Sequence, residues 1–469
     1  MEKIWHITGG APLHGTVLVS GSKNAALPAM VASLLTKEAV LLYNVPDITD
    51  VHAMVDILRH VGVEVRRVGP NAWWLRAASV ARSWVGPELA GRLRASHLLL
   101  GALCARTGTG AVAKSGGDPL GRRPAAALLK GLRGMDTTVY EDANGLVVIM
   151  ATRLVGVDVE QDKPNVTETE LLMLAAAMAH GTTVITRAAR EPHVSDLARC
   201  LIAMGADITG AGTDHIIIKG SKGRLLHGTD HEVTGDYIEA GTYMLAAAAM
   251  PGSDVRINGI EPDQVTFLVE PLRRAGVGVI KGRTHIEVTS NDRISPVDIS
   301  TWGHPSFATD LQPQYTAVMT QAAGDTVVEE WWTESRFGHV AGLVAFGANI
   351  TVDGRRAIVR GPTALHAADV RIHDIRQGAA YVIAALCAKG TSVLRRVDHL
   401  HRGYEDPVGK LTRLGATIEV EEVDAEITAG RVTTPPERRP PSARTRGAHS
   451  PPDFPHHRRG GNLPEGRFL

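Results

Sequence analysis

Residues 114–124 of this chain, Lys-Ser-Gly-Gly-Asp-Pro-Leu-Gly-Arg-Arg-Pro, combine the residue types that can hold an anion and move a proton. Two adjacent glycines allow the backbone to flex or to approach a ligand closely. The carboxylate of Asp118 follows them, and the guanidiniums of Arg122 and Arg123 suit the bidentate capture of a carboxylate or a phosphate. We therefore predict a mobile loop that closes over an anionic substrate. Composition alone leaves a solvated, glycine-rich surface turn as an equal alternative.

Composition limits the classes of protein to which the chain can belong. Lys+Arg and Asp+Glu are both 50 among 469 residues, which argues against a nucleic-acid partner held by overall charge. The sequence has no apolar signal core and no uninterrupted apolar run of roughly 18 residues, so we expect no membrane span. The cysteines Cys104, Cys200 and Cys387 form no CxxC motif and indicate buried thiols in a reducing compartment. We therefore expect a cytoplasmic protein.

Self-comparison predicts six copies of one unit of roughly 70 residues. Each copy has an apolar helix, a strand, a second helix that closes on glycine, and a further strand. This alternation is typical of the α/β class, and the apolar first helices should be buried. Six units divide most simply into three and three, with the crossover near Gly235 and a ligand cleft between the halves. The closing glycines, which fit left-handed helix caps, are Gly62, Gly134, Gly205, Gly276, Gly347 and Gly415.

Charged and polar side chains recur at equivalent places in the units, before the first helix and after the first strand. Helix N-termini add free amides and a positive dipole at such places. Each residue alone could be only a cap or a solvated turn, but six units stacked with the same polarity would gather them on one face. They are Lys23, Asn24, Arg94, Lys163, Asn165, Asp236, Asp310, Asp374 and Arg376 before the helices, and Asp118, Arg123, Glu191, Glu334, Arg336, Arg402 and Glu405 after the strands.

Motifs for other chemistries are missing from the sequence. It contains no G-x4-G-K-[ST] phosphate loop, no HExxH metal motif and no GxSxG nucleophile turn. His193, Ser195 and Asp196 have the residue types of a hydrolase triad, but neighbours in sequence do not form one. The repeated charges therefore remain the main candidate site.

Several longer motifs are characteristic of one family, and over roughly residues 1–420 the sequence resembles the enolpyruvyl transferases. They are SGSKNAALP (20–28), LRASHLLLGAL (93–103), GGDPLGRRP (116–124), TDLQPQYT (309–316), ESRFGHV (334–340), DIRQGAA (374–380) and HRGYEDPVGKLTRLGA (401–416). The resemblance implies two inside-out α/β domains, each of three pseudo-symmetric repeats, with a cleft between them. We expect one domain at 23–234 and the other at 1–22 plus 235–422. Residues 423–469 are rich in Pro and Arg and should be a disordered tail.

The resemblance implies transfer of the enolpyruvyl group of phosphoenolpyruvate to an acceptor hydroxyl, with release of phosphate. Lys23, Arg123 and Arg402 should hold phosphoenolpyruvate. Arg94 and Arg376 should support this cationic pocket. The reaction requires no metal and no organic cofactor, and no obligate protein partner is evident.

The resemblance assigns roles in the reaction to two carboxylates. Asp310 should sit at the acceptor hydroxyl, as its base or its orienter. Asp118 stands where many family members have cysteine and others have aspartate, and a loop acid can deliver or relay the proton that carbon 3 receives. The positions expected to bind the acceptor are Asn24, Arg94, Lys163, Asn165, Val166, Asp310 and Glu334.

The chain departs from the family pattern on the acceptor side. We expect a uridine nucleotide as acceptor, first the 3-hydroxyl of UDP-N-acetylglucosamine in peptidoglycan precursor synthesis. The alternative is another nucleotide, such as uridine monophosphate in nucleoside-antibiotic synthesis. A non-catalytic nucleotide-binding regulator is the non-enzyme alternative. The departures are Ala126 for Asp and Leu128 for His in the uridine pocket, His193 for the second Glu of a REPE motif, Thr167 for Gly, Tyr237 for Arg and Thr49 for Lys.

Overall fold

One strand order is repeated in all six sheets of the computed structural model, which describes residues 2–117, 129–291 and 293–423. The strands, β1 to β24 in chain order, are Glu2–Thr8, His14–Leu18, Ala39–Tyr43, Glu64–Gly69, Ala72–Arg76, Trp84–Val85, Thr109–Val112, Thr138–Glu141, Val147–Met150, Asp158–Glu160, Thr182–Thr186, Asp207–Thr209, His215–Lys219, Thr229–Glu232, Asp254–Asn258, Gly278–Lys281, His285–Thr289, Ile299–Thr301, Asp325–Glu330, Asn349–Asp353, Arg356–Arg360, Asp369–Arg371, Thr391–Arg395 and Thr417–Val423. The sheets have the orders β14-β3-β5-β4, β6-β7-β9-β8, β10-β11-β13-β12, β2-β15-β17-β16, β18-β19-β21-β20 and β22-β23-β1-β24.

In every sheet the first pairing is parallel and the next two are antiparallel. Most strands of each sheet come from one repeat. In some sheets, such as the one that contains β1, a strand from a remote part of the chain completes the sheet. The six-fold repetition and the α/β class predicted from the sequence are confirmed.

The N-terminal strands complete sheets that are otherwise built late in the chain. Strand β1 lies between β23 and β24, with Trp5 opposite both Leu394 and Val420. Strand β2 pairs in parallel with β15. These pairings accord with the expected grouping of residues 1–22 with 235–422. The limits of the two domains stay a prediction, because the described residues belong to one compact unit, Met1–Asp424.

Helices alternate with the strands along the chain and pack against the sheets. The helices, α1 to α13 in chain order, are Lys23–Ala32, Thr49–Val61, Pro87–Ala90, Leu98–Thr107, Lys130–Gly134, Val166–Ala176, Pro192–Ala203, Tyr237–Ala249, Thr266–Arg274, Gln312–Met319, Val340–Ala345, Ile375–Cys387 and Pro407–Arg413. Short 3-10 helices lie at Ser33–Leu35, Arg94–His97, Pro262–Val265, Thr309–Leu311, Phe337–His339 and Val397–Arg402. Among these helices, none has both the length and the apolar character needed to cross a bilayer.

The first helix of each repeat is buried, as its apolar sequence predicts. Helix α4 contacts α1 and α6, and the helices α8, α10 and α12 all contact one another. Two separate hydrophobic cores result, one made of residues between 25 and 233 and one of residues 5–19 together with residues between 237 and 416. Small residues such as Ala and Gly let these helices approach closely, which explains the low aromatic content of 4%.

The glycine caps follow the prediction in five of six repeats. Gly62, Gly205, Gly276, Gly347 and Gly415 all have φ between 90° and 106°, in the left-handed region. Gly134 was predicted to do the same, and this prediction was wrong. It is the last residue of helix α5, and the left-handed conformation is taken two residues later by Asp136, at φ 60°.

A buried ion pair fastens both ends of the described chain to helix α8. Lys410 Nζ lies 2.6 Å from Glu239 Oε1 and 2.6 Å from Ser20 Oγ, while the Ser20 amide donates to Glu239 Oε2. Burial raises the pKa of Glu239 to about 7, against the opposing effect of Lys410. Removing one partner of such a pair leaves an uncompensated buried charge.

We predict that Lys410→Met lowers the free energy of unfolding by about 3–5 kcal/mol at pH 8, where Glu239 is ionised. The double variant Lys410→Met/Glu239→Gln should lose clearly less, because no charge is then left unpaired. Arg413→Met, which removes an exposed pair with Asp406, is the matched control. Urea unfolding measures all three, and equal losses in the single and double variants would contradict the role given to this pair.

Candidate active site

The N-terminal ends of the buried helices border one cavity of about 400 Å³. Lys23 begins α1, Val166 begins α6 and Tyr237 begins α8, and all three line it. Most of the predicted site residues lie together here: Lys23, Asn24, Arg94, Lys163, Asn165, Val166, Asp310, Arg376 and Arg402.

The other three predicted site residues are one described residue outside the lining and two residues that the structure does not describe. Glu334 is exposed, and its neighbours Thr333 and Arg336 line the cavity in its place. Asp118 and Arg123 lie outside the described residues, as do Ala126 and Leu128 of the expected uridine pocket and the tail beyond residue 423. The roles of these residues stay predictions.

Asp50 holds two of the predicted donor-binding cations in place. Lys23 Nζ lies 2.7 Å from Asp50 Oδ2, and Arg402 Nε donates to Asp50 Oδ1 at 3.1 Å. Asp50 is in the first turn of helix α2 and only 3% exposed. Burial favours a higher pKa for Asp50, but the charges of Lys23 and Arg402 outweigh it and keep the pKa below its usual value. The carboxylate therefore stays ionised and fixes both cations at the cavity.

Asp310 is held between two arginines. Arg336 Nη2 donates to Asp310 Oδ1 at 2.6 Å, and Arg376 Nε donates to Asp310 Oδ2 at 3.1 Å. Desolvation opposes ionisation, but Arg376 and then Arg336 dominate and hold the pKa of Asp310 far below its usual range. A carboxylate with so low a pKa is a weak proton acceptor. Of the two roles expected for Asp310, the geometry favours orienting the hydroxyl over removing its proton.

Arg376 is fixed by its own surroundings. It lies in the first turn of helix α12, where Asp374 caps the helix and accepts from the Arg376 amide at 2.8 Å. Arg376 Nη1 donates to the Tyr404 hydroxyl at 3.3 Å, and the guanidinium lies 5.7 Å from the centre of that ring. The side chain is only 4% exposed. These contacts leave Arg376 little freedom to follow a ligand.

Residues from distant parts of the chain meet around the same cavity. The Lys23 amide donates to Asp236 Oδ2, and Asp236 also caps helix α8 through the amides of Ile238 and Glu239. Lys163 Nζ donates to the Trp332 carbonyl at 3.3 Å and lies 5.8 Å from the centre of the Trp332 ring. These two contacts join residues of the cavity lining to residues that are remote in sequence.

Two of the polar residues in the cavity lining also make hydrogen bonds close to their own elements. The Asn165 side chain caps α6 by accepting from the Glu168 amide at 3.2 Å. Arg94 Nη1 lies 3.5 Å from Ser115 Oγ, which places this arginine beside the start of the 114–124 loop.

Within the described ranges, no group of three or more His, Cys, Asp and Glu side chains is arranged to hold a metal ion.

Sequence reasoning missed Asp50 as a functional residue and noted Arg336 only as one of the repeated charges. The helix dipole alone favours an acidic residue such as Asp50 in the first turn of a helix, so its position in the sequence does not indicate a functional role. Its partner Arg402 is remote in sequence, so no local pattern shows the contact.

Comparison with known proteins agrees with this geometry. A family model described as EPSP synthase (3-phosphoshikimate 1-carboxyvinyltransferase) matches residues 7–411. The chain belongs to this enolpyruvyl transferase family. A UDP-N-acetylglucosamine 1-carboxyvinyltransferase of Acidobacterium capsulatum is 44% identical over 419 residues, which are 88% of this chain and 95% of the relative. One of Koribacter versatilis is 43% identical over 417 residues, with coverage of 88% and 95%.

Solved structures confirm the fold class. The enolpyruvyl transferase NikO from Streptomyces tendae aligns with a TM-score of 0.81 at 28% identity, over 89% of this chain and 99% of NikO. An EPSP synthase from Acinetobacter baumannii aligns with a TM-score of 0.70 at 19% identity, over 90% of this chain and 100% of the relative, and this likeness concerns the fold alone. The protein is therefore an enolpyruvyl transferase with the fold of that family. The individual roles of its site residues stay predictions.

We predict that Arg336→Gln moves the acidic limb of the pH profile of kcat/KM toward neutral pH. Loss of a cation beside Asp310 disfavours its ionised form, so the pKa rises and the active carboxylate is lost earlier as pH falls. In the wild type Asp310 should stay ionised between pH 5 and 8, so the profile should show no titration of this carboxylate in that range. Arg356→Gln, which removes an exposed partner of Glu329, is the matched control. Superimposable acidic limbs in wild type and Arg336→Gln would show that Asp310 ionisation does not govern turnover.

Proposed function

We propose that this enzyme transfers the enolpyruvyl group of phosphoenolpyruvate to a hydroxyl of a uridine nucleotide. The first acceptor is the 3-hydroxyl of UDP-N-acetylglucosamine, which would serve peptidoglycan precursor synthesis. The observation that carries this proposal is the set of cations around one cavity, fixed by Asp50 and Asp310. Relatives named for this activity, at 43–44% identity, support the choice of acceptor.

Phosphoenolpyruvate carries a phosphate and a carboxylate, and the cavity offers cations suited to both. Lys23 and Arg402 lie side by side on Asp50, so each can exchange part of that contact for a ligand oxygen. Arginine binds such anions bidentately, and lysine binds them as a point charge. Arg123 of the 114–124 loop is proposed as the third donor-binding cation.

The proposed reaction proceeds by addition and elimination. The acceptor oxygen attacks carbon 2 of phosphoenolpyruvate as its hydroxyl proton passes to solvent, and carbon 3 takes a proton from Asp118, which gives a tetrahedral phospho-lactoyl adduct. Carbon 3 then returns a proton to the Asp118 carboxylate, the bond from carbon 2 to the phosphate oxygen breaks, and the enolpyruvyl ether and phosphate are released. Asp118 would deliver the first proton, and Asp310 would orient the attacking hydroxyl. The arginines and lysine would stabilise the charge on the departing phosphate.

Uridine monophosphate is the second candidate acceptor, in nucleoside-antibiotic synthesis. Departures from the family pattern on the acceptor side favour a change of acceptor: Thr167 replaces the glycine expected near the acceptor's phosphates, and Ala126 and Leu128 would remove polar groups that hold the base. An unpaired buried polar group costs about 1–3 kcal/mol, so two such losses would lower the affinity for either uridine nucleotide by roughly a hundredfold or more. Lys163 lines the cavity and still favours a phosphorylated acceptor.

The non-catalytic alternative is a nucleotide-binding regulator. Such a protein would need the cavity and its cations to hold a ligand, but it would have no use for a carboxylate beside the reacting hydroxyl. Asp310 is held in a fixed ionised state by two arginines, which favours the enzyme.

We expect phosphate release from phosphoenolpyruvate with UDP-N-acetylglucosamine as acceptor, at a higher kcat/KM than with uridine monophosphate. The measurement is phosphate release at saturating phosphoenolpyruvate for each acceptor, with shikimate 3-phosphate as the third. Lys23→Met is the matched inactive control, because it removes a donor-binding cation. A clear preference for uridine monophosphate would refute the cell-wall acceptor. Activity with shikimate 3-phosphate alone would refute the nucleotide acceptor altogether.

A further inference from the structure

His193 is a buried polar side chain whose hydrogen bonds are unaccounted for. It lies in the first turn of helix α7, is 3% exposed and lines the cavity. Neither ring nitrogen has a hydrogen-bond partner among the described residues. A buried polar group without a hydrogen-bond partner lowers the stability of the fold, so its presence in a native protein calls for a structural or functional explanation. A ligand in the cavity can supply the missing partner.

Tyr237 fixes the orientation of the His193 ring. The two rings are stacked, with centroids 6.2 Å apart and planes inclined by 12°. Tyr237 is itself packed edge-on against Phe267 and His304. His193 and Tyr237 stand where the family pattern has an acid and an arginine, so two departures that are distant in sequence meet in space. A pair of residue types with opposite charges is replaced by two stacked rings.

The His193 ring is uncharged at neutral pH. Burial lowers the pKa of His193 to about 4, although the nearby Asp310 carboxylate acts in the opposite direction. Burial also raises the pKa values of Glu170 and Glu191, which line the cavity and each have one carboxyl oxygen without a hydrogen-bond partner in the part of the chain described. These groups suit a neutral ligand group better than a phosphate, which the cations of the same cavity attract.

We propose that His193, braced by Tyr237, hydrogen-bonds a hydroxyl of the acceptor on the carbon next to the one that bears the reacting hydroxyl. The inference rests on the proposed function, in which Asp310 orients the reacting hydroxyl. A hydroxyl both donates and accepts, so it can pair with either nitrogen of a neutral imidazole. His193 is thus a positioning residue that selects acceptors with two adjacent hydroxyls. UDP-N-acetylglucosamine and uridine monophosphate both contain such a pair.

The test compares each acceptor with its analogue that lacks the adjacent hydroxyl. These are 4-deoxy UDP-N-acetylglucosamine and 2′-deoxyuridine monophosphate, and kcat/KM is measured by phosphate release. The wild type should prefer the parent acceptor by roughly 10–100-fold, because the analogue leaves His193 unpaired. His193→Phe keeps a ring that can stack but has no nitrogen, so this preference should fall to roughly onefold through loss of rate with the parent. His193→Gln, which retains a donor and an acceptor, should restore part of it.

Controls separate this inference from folding and from the proposed function. His215→Phe changes an exposed histidine outside the cavity lining and should keep the wild-type preference. Tyr237→Leu removes the stacked ring and should lower the preference. Equal kcat/KM for parent and deoxy acceptors in the wild type would overturn the inference while leaving the proposed function intact, as would an undiminished preference in His193→Phe. Absence of phosphate release with both parent acceptors would overturn the proposed function, and this inference with it.

Discussion

The active site depends on two carboxylates that each lie between two cations. Lys23 and Arg402 share Asp50, and Arg336 and Arg376 share Asp310. Four cations gathered at one cavity would repel one another and lose hydration, and helix N-termini add further positive potential. The carboxylates offset this cost in the absence of ligand. They also set the geometry, because an ionised carboxylate with two partners can hold both at hydrogen-bond distance.

The repeated architecture makes this convergence possible. Each repeat buries its first helix, and the residues before that helix lie at the same end in every repeat. Lys23, Asp310 and Arg376 come from three different repeats, yet they line one cavity. The sheets pack against the helices and include strands from remote parts of the chain. Strand β1, for example, lies between β23 and β24. The two ends of the described part of the chain are thereby held against the helices that position the site.

Much of the fold could be predicted from the sequence because its signals are local. Helix and strand periodicity recurs six times, and closing glycines such as Gly62 take the left-handed conformation that helix caps require. Gly134 was predicted wrongly, because the pattern does not show whether the left-handed residue is the glycine itself or a residue two positions later. Among site residues, Lys23 and Arg376 were found through motifs. Asp50 was missed because its partners are defined only by tertiary structure. Glu334 was placed at the acceptor by the family resemblance, and its side chain is exposed, whereas Arg336 two residues later lines the cavity.

We propose that the cations held by Asp50 and Asp310 form the binding site of the anionic donor. Calorimetry of phosphoenolpyruvate binding, without an acceptor so that no reaction occurs, measures whether they do. Arg402→Met should weaken binding by roughly 10–100-fold, since hydrogen bonds to charged groups contribute about 1.5–3 kcal/mol. Arg395→Met, which removes a cation paired with Asp369 outside the cavity lining, should leave the affinity unchanged. Equal affinity of wild type and Arg402→Met for phosphoenolpyruvate would contradict the account.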